Sequence, residues 1–384
     1  KDVGNSAANP LQKIDYSYNI RGWLTGINDV TSLVKPEVPK DLFAFKINYD
    51  NINSGISGVK ALYNGNISET SWATNSDNGT VRSYGYKYDN LNRLKEGIFQ
   101  KAAVTTNAYN ETLSYDKNGN ITNLTRNGES ETAQLIDNLA YTYANDKSNQ
   151  LAKVIDSSNK ALGFIDNTQT TDDYTYDLNG NMISDANKSI TSITYNHLNL
   201  PVTIKFATTG NKISYLYNAA GTKIRKIIST NSEIITDYMA GGFQYLETKL
   251  NYFPHPEGYV TVVDDKFRYV YNYTDHLGNI RLSYSDADAD GTIDSHEIME
   301  ENNYYPFGLK HEGYNSDVVL SSNYKFQGQE RQDELELNWD SFKWRNYDYA
   351  IGRFFNVDPL AEKFYHNGVY NFSENKIFLK TVFS

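Results

Sequence analysis

A tyrosine-centred phrase recurs along this chain: "YDNLNRL" from Tyr88, "YDKNGNI" from Tyr115, "YDLNGNM" from Tyr176, "YNHLNLP" from Tyr195 and "YNAAGTKI" from Tyr217. A unit this short cannot bury an apolar face alone, so copies must stack against one another in an array. Degenerate copies stand at "YNIRGWL" from Tyr18 and "YTYANDKSNQL" from Tyr141. Each copy has the grammar of a β-hairpin. Alternating aromatic and polar residues run up to Tyr-Asp or Tyr-Asn, a Gly or Asn supplies a positive φ, and a second alternating run follows. Asp173-Tyr174-Thr175-Tyr176 before Asn179-Gly180-Asn181 shows the pattern most clearly.

Composition sharpens this expectation. The apolar set including tyrosine is 39%, and 32 tyrosines make up a large part of it, so the aliphatic share is lower than a compact globule uses. This predicts a long twisted sheet without one thick core, its tyrosine rings packed across strands and its hydroxyls in water. Lys and Arg total 36 against 47 Asp and Glu, a net charge of −11, and no basic block exists to track a phosphate backbone, which argues against nucleic acid as a partner. No apolar run is long enough to span a bilayer. The opening "KDVGNSAANP" is neither a signal peptide nor an initiator methionine, so the sequence reads as a piece of a longer protein. The absence of cysteine excludes disulfides, thiol catalysis and cysteine-ligated zinc.

Two regions are expected: a hairpin array over residues 1–270 and a non-repeating segment over 271–384 that caps it. The array is interrupted by irregular stretches at 34–40, where Pro36 and Pro39 fall, and at 168–173. The repeats, followed by "TDHLGNIRLSYSD", "YYPFGLKHEGYN", "FQGQE", "NWDSFKWRNYDYAIGRF" and "VDPLAEKF", resemble the RHS/YD-repeat family with its RHS repeat-associated core domain, in the form common in Bacteroidetes. The resemblance covers essentially the whole chain and is densest over 271–375. It implies an all-β fold, a YD-repeat hairpin array spiralling into a hollow shell, or cocoon, closed by a core-domain plug. In the family such a cocoon often encloses a variable C-terminal toxin, as in polymorphic toxins and the insecticidal toxin-complex C subunits; teneurins have a related shell.

The sharpest chemical motif is Asp286-Ala-Asp288-Ala-Asp290-Gly291-Thr292-Ile293-Asp294-Ser-His-Glu297. It fills the twelve-residue EF-hand pattern, with carboxylates at positions 1, 3, 5, 9 and 12, Gly at 6 and an apolar residue at 8. Alternate carboxylates can curl around a hard cation, Thr292 can offer its carbonyl, and Glu297 can close the shell with both oxygens. Ca²⁺ is expected over Mg²⁺, because an irregular all-oxygen cage suits the larger ion. "IRLSY" before the loop predicts a strand and "SHEIMEEN" after it a short helix. The plainer alternative is an acidic surface loop.

In the RHS family the core domain can act as an aspartyl autoprotease that releases the toxin. Arg353 and Asp358 match the family's Gly-Arg-Phe and Asp-Pro signature, but the cleavage motif and a second acid are missing downstream, and only Glu362 and Glu374 follow. Two carboxyls sharing a proton are what such chemistry requires. The structural alternative is that Arg353 and Asp358 pair and cap a turn before Pro359. The six histidines stand singly, without ligand-spaced partners. The leading expectation is a shell fragment of a secreted or surface toxin, partnered by an enclosed polypeptide or by preceding repeats, and secondarily by secretion machinery or a target-cell surface. A cell-surface recognition or adhesion scaffold is the runner-up, and an active autoprotease the third reading.

Overall fold

The computed structural model describes residues 1–6, 8–35, 39–144, 148–158, 161–167, 171–314 and 319–377. The irregular stretches expected at 34–40 and 168–173 therefore fall in part, at 36–38 and 168–170, outside the described residues. The fold is all-β. Among the described residues the helical elements are single 3₁₀ turns. One sheet of ten strands runs from Tyr16–Tyr18 to Leu151–Asp156, and one of thirteen from Tyr174–Tyr176 to Ile298–Glu301. Within each, every strand lies antiparallel to its neighbour in the chain, so both sheets are simple meanders.

The repeat phrase accounts for how each hairpin is built. In seven turns an Asp or Asn, after the tyrosine in six of them and after Thr274 in the seventh, accepts two backbone N–H groups, from the second and fourth residues beyond it. Asp116 Oδ1 accepts from Asn118 and Asn120, both at 2.8 Å, and Asp177 Oδ1 from Asn179 at 2.9 Å and Asn181 at 2.8 Å. Asn19, Asp89, Asn196, Asn218 and Asp275 do the same. The residue third beyond each acceptor is Gly or Asn at positive φ, as with Gly119 at 82° and Asn199 at 56°, where a β-branched side chain would clash.

The tyrosine joins one hairpin to the one before it. The Tyr115 hydroxyl donates to the Leu94 carbonyl at 2.7 Å, Tyr88 to Ile67 at 2.8 Å, Tyr143 to Ile121 at 2.7 Å, Tyr176 to Leu151 at 3.0 Å and Tyr217 to Pro201 at 3.0 Å. Tyr195 bonds the Met182 carbonyl in the same way. The expectation that these hydroxyls lie in water is corrected: they satisfy backbone carbonyls that sheet pairing leaves open.

The two meanders follow one another in space. Asp173 N donates to the Ala152 carbonyl at 2.8 Å, and Val154 N donates to Asp173 Oδ2 at 2.8 Å, so the second sheet starts beside the last strand of the first. Its far end returns to the beginning of the chain. The Tyr273 hydroxyl donates to Gln12 Oε1 at 2.8 Å, Lys1 pairs with Glu257, and the Arg281 guanidinium lies 5.0 Å from the Trp72 ring centre. The wall thus curves round but does not close as one ladder. The strand Tyr16–Tyr18 pairs on one side only among the described residues. The strand Lys266–Thr274 crosses residue 270, and the meander runs on to Glu301, so the change in sequence character near 270 does not mark an end of the sheet.

From Asn302 the chain turns into the space that the wall surrounds. It forms a small sheet of Glu330–Gln332, Trp339–Ser341, Asn346–Asp348 and Arg353–Phe354. One apolar cluster takes in wall residues such as Leu113, Leu124 and Leu139 together with Tyr305, Phe307, Phe326, Trp339, Tyr347, Phe354 and Phe372 of this tail. This corrects the expectation of a sheet without one thick core. The core exists, but its bulk is aromatic and much of it comes from the tail. Phe372 packs on Tyr347 at 4.4 Å, and Trp339 on Phe355 at 4.0 Å between ring centres.

Candidate functional sites: the acidic loop and the tail seam

The acidic loop is built by a hairpin. It leaves the strand Ile280–Tyr284, passes a 3₁₀ turn at Ser295–Glu297, and enters Ile298–Glu301, which pairs back through Leu282↔Glu301 and Tyr284↔Ile298. The short helix expected over "SHEIMEEN" is therefore a single turn followed by a strand, because pairing with Ile280–Tyr284 demands extended backbone from Ile298 onward.

Asp286, Asp288 and Asp290 converge, each offering an oxygen within 4.8 Å of the others. Asp286 Oδ2 accepts from Gly291 N at 3.1 Å, while its Oδ1 is buried without a hydrogen-bond partner. Gly291 turns the loop at φ +86°. The Thr292 N–H and hydroxyl donate to Asp290 Oδ1 at 2.7 and 2.8 Å, and these bonds hold the Asp290 carboxyl below its ordinary range. Asp294 caps the turn by accepting from His296 N at 2.7 Å. The buried Glu297 reaches across the mouth of the loop, where Oε1 accepts from Ala287 N at 2.6 Å and Oε2 from Asp294 N at 3.1 Å. Ile293 packs on the main core. The structure therefore brings Asp286, Asp288 and Asp290 together and holds Glu297 at the loop entrance, all as oxygen donors suited to a hard cation.

Arg353 and Asp358 do not pair. Arg353 donates to Tyr143 Oη at 2.8 Å and to the Asn149 carbonyl at 2.7 Å, with its guanidinium over the rings of Tyr143 and Tyr370. Asp358 instead meets Arg345 at 3.0 Å and accepts from Leu360 N at 2.8 Å, so it does cap the turn that follows.

Arg353 belongs to a seam in which the tail binds the hairpin turns. Asn375 donates to the Gly119 carbonyl at 2.8 Å, the Tyr370 hydroxyl to the Gly180 carbonyl at 2.7 Å, and Asn356 to Asn181 Oδ1 at 3.3 Å. Gln327 N donates to Asn279 Oδ1 at 2.8 Å. Asn120, Asn181 and Asn279 occupy the same turn position, and each also donates to the Oδ2 of its own turn aspartate at 2.9, 3.0 and 2.9 Å respectively. Sequence reasoning missed these asparagines, although their recurrence after Gly in three turns was the available signal.

Deeper in the seam, charged groups lock tail to wall. Register places Arg126 between Glu111 and Asp137 on adjacent strands. Its Nε donates to Glu111 at 2.7 Å and its Nη1 to Asp137 at 3.0 Å and to the Ala350 carbonyl at 2.7 Å. Glu111 also accepts from Phe307 N at 3.0 Å, and Asp137 from Phe164 N at 2.7 Å. Glu330 of the tail accepts from Lys223 at 2.5 Å, Lys226 at 3.1 Å and the Tyr238 hydroxyl at 2.6 Å. Burial alone would raise the Glu330 carboxyl, but the two lysines outweigh it and hold it at about 2. Sequence reasoning also passed over the buried carboxylates Asp185, Asp340 and Asp348.

No protein-family model and no curated protein sequence matches the chain. Solved structures do. The crystal structure of TcdB2-TccC3 without its hypervariable C-terminal region matches with a TM-score of 0.66 at 17% identity, covering 95% of this chain and 18% of that one. The fold is that of the TcdB2-TccC3 shell. TcdB2-TccC3 itself matches with a TM-score of 0.56 at 13% identity over 96% of this chain and 19% of that one. A Photorhabdus luminescens Tc holotoxin pore carrying TccC3-D651A matches with 0.55 at 14% identity over 97% and 19%. The chain thus spans about a fifth of the length of the solved chains it matches. No helix among the described residues is long and apolar enough to cross a membrane.

Proposed function

We propose that this chain is the closing end of a larger toxin shell of the RHS type, exported or surface-exposed, that encloses and delivers a polypeptide. The observation that carries the reading is the shell fold, matched over nearly the whole chain, combined with a tail that seals the inner face against the hairpin turns. Since the tail fills the space bounded by this part of the wall, the cargo would lie beyond it, on the side of the single-sided strand Tyr16–Tyr18. The test uses the polypeptide as its gene encodes it, with a protease-labile reporter appended at the C-terminus. Enclosure predicts that the reporter resists protease until the shell is denatured. Cleavage at the rate of the free reporter would overturn it and favour the adhesion scaffold.

The proposal includes a calcium ion held by Asp286, Asp288, Asp290, the Thr292 carbonyl, Asp294 and Glu297, stapling the hairpin that carries them. A ligand that binds only the folded chain stabilises it by about 2.7 kcal/mol at one hundred times its Kd. Millimolar Ca²⁺ should raise the melting temperature, chelator should reverse the rise, and Asp288→Asn, which alters an exposed carboxylate, should abolish the response while leaving the calcium-free melting temperature in place. Calorimetry that detects no binding at millimolar Ca²⁺ would remove the ion from the proposal.

A further inference from the structure

The strand Met182–Asp185 of the wall is bonded directly to the tail, Met182 N donating to the Phe355 carbonyl at 3.1 Å. At its end Asp185 is 1% exposed. Its Oδ1 accepts from Asn187 N at 3.0 Å and Lys188 N at 3.2 Å, while Oδ2 is buried with no partner among the described residues. Tyr174, its register partner on the adjacent strand, also has a buried hydroxyl without a partner. The Lys188 ammonium does not turn back to Asp185. It reaches across the seam to Oδ2 of the tail's Asp348 at 3.2 Å, whose Oδ1 accepts from Ala350 N at 2.9 Å. One lysine therefore serves a corner that holds two buried carboxyls, one from the wall and one from the tail.

We propose that Asp185 is a proton-operated latch: protonated, it lets the tail strand Asn346–Asp348 dock against the wall, and ionised, it opposes Asp348 and loosens that dock. The charged and titratable groups around it come from every neighbouring element. Tyr174 lies on the preceding strand with Asp173 just before it, Lys188 on the turn, and Asp348 on the tail strand. Behind Asp348 the tail adds Asp333 and Asp340, with Arg331 meeting Asp340 at 3.2 Å. Burial is the largest influence on Asp185, Lys188 opposes it, and Asp348 and Asp173 reinforce it, which together push the carboxyl up to about 7. A carboxyl raised in the folded state holds a proton that the released state gives up near its ordinary range. The docking it supports is fully present below about pH 4 and declines as pH rises to about 7.

Hydrogen exchange read by mass spectrometry on residues 346–358, corrected for intrinsic exchange, tests this. Between pH 5.5 and 8.5 the opening equilibrium of this segment should rise on the order of thirty-fold, while the wall strand Leu94–Lys101 stays level. Asp185→Asn keeps the shape and both accepted N–H bonds, and should make the segment insensitive to pH. If that variant does not fold, Asp348→Asn gives a second comparison from the tail side, in which the response should weaken, since burial still raises Asp185 but the opposing carboxylate is gone. A pH response unchanged in either variant, or no response in the unaltered protein, would overturn the latch.

Discussion

Arg126→Met is expected to destabilise the protein by about 3–5 kcal/mol, because it leaves Glu111 and Asp137 charged and buried with no counter-ion. Both carboxylates and the guanidinium are inaccessible to solvent. Equilibrium urea unfolding followed by tryptophan fluorescence reads the loss as a lower midpoint at unchanged slope. Adding Glu111→Gln and Asp137→Asn to the same chain should recover much of it, since the penalty lies in the orphaned charges and not in the missing side chain. Arg225→Met breaks a pair of similar geometry with Asp237 at 2.5 Å on the open surface, where solvent screens the charges, and should move the midpoint little. Equal effects from the two arginine changes would show that the Arg126 triad is not what ties wall to tail.

Phe372→Ala should cost about as much, roughly 3–5 kcal/mol, by opening a cavity where the aromatic rings of the tail meet. Phe372 is 5% exposed and lies within 6.4 Å of the ring centres of Phe307, Phe326, Phe342, Tyr347 and Phe354. It is the last large ring before the turn Ser373–Asn375, so its loss should also raise exchange in the Gly119 and Gly180 turns, which Asn375 and Tyr370 hold from the tail. A full-strength core with those turns unprotected, or a weakened core with the turns unchanged, would separate the two roles assigned to this segment.

The hairpins were legible because their determinants are local. An Asp or Asn that accepts two N–H groups and a Gly or Asn at positive φ lie within five residues, so a phrase such as "YDKNGNI" carries its own turn. The tail could not be read this way. Tyr347, Phe354 and Phe372 are ordinary aromatics until the curved wall, more than two hundred residues away for Leu113, Leu124 and Leu139, brings them all into one cluster. The low aliphatic content points, on composition alone, to a sheet without one thick core, whereas it reflects a core in which rings replace branched chains. Arg353 illustrates a related miss. Asp358, five residues on, suggested a pair, but the turn at Asn120 and the Tyr143 ring offer the guanidinium a better-fitting site. The acidic loop was legible in composition and spacing. Its setting was not, because "SHEIMEEN" has helical character on its own and becomes a strand only beside Ile280–Tyr284.

The tyrosine bonds have a direction. In each, the hydroxyl reaches a carbonyl that lies earlier in the chain: Tyr115 to Leu94, Tyr143 to Ile121, Tyr176 to Leu151. A polypeptide leaving the ribosome with its N-terminus first therefore never waits for an acceptor that has yet to be made, and each new hairpin can lock onto the last as soon as it emerges. The tail bonds run the same way but over a far longer span. Asn375 must find Gly119 across more than two hundred residues, and long-range closure of this kind is slow. The winding of the wall can keep pace with translation, while the core is completed only once the segment through Asn375 has emerged.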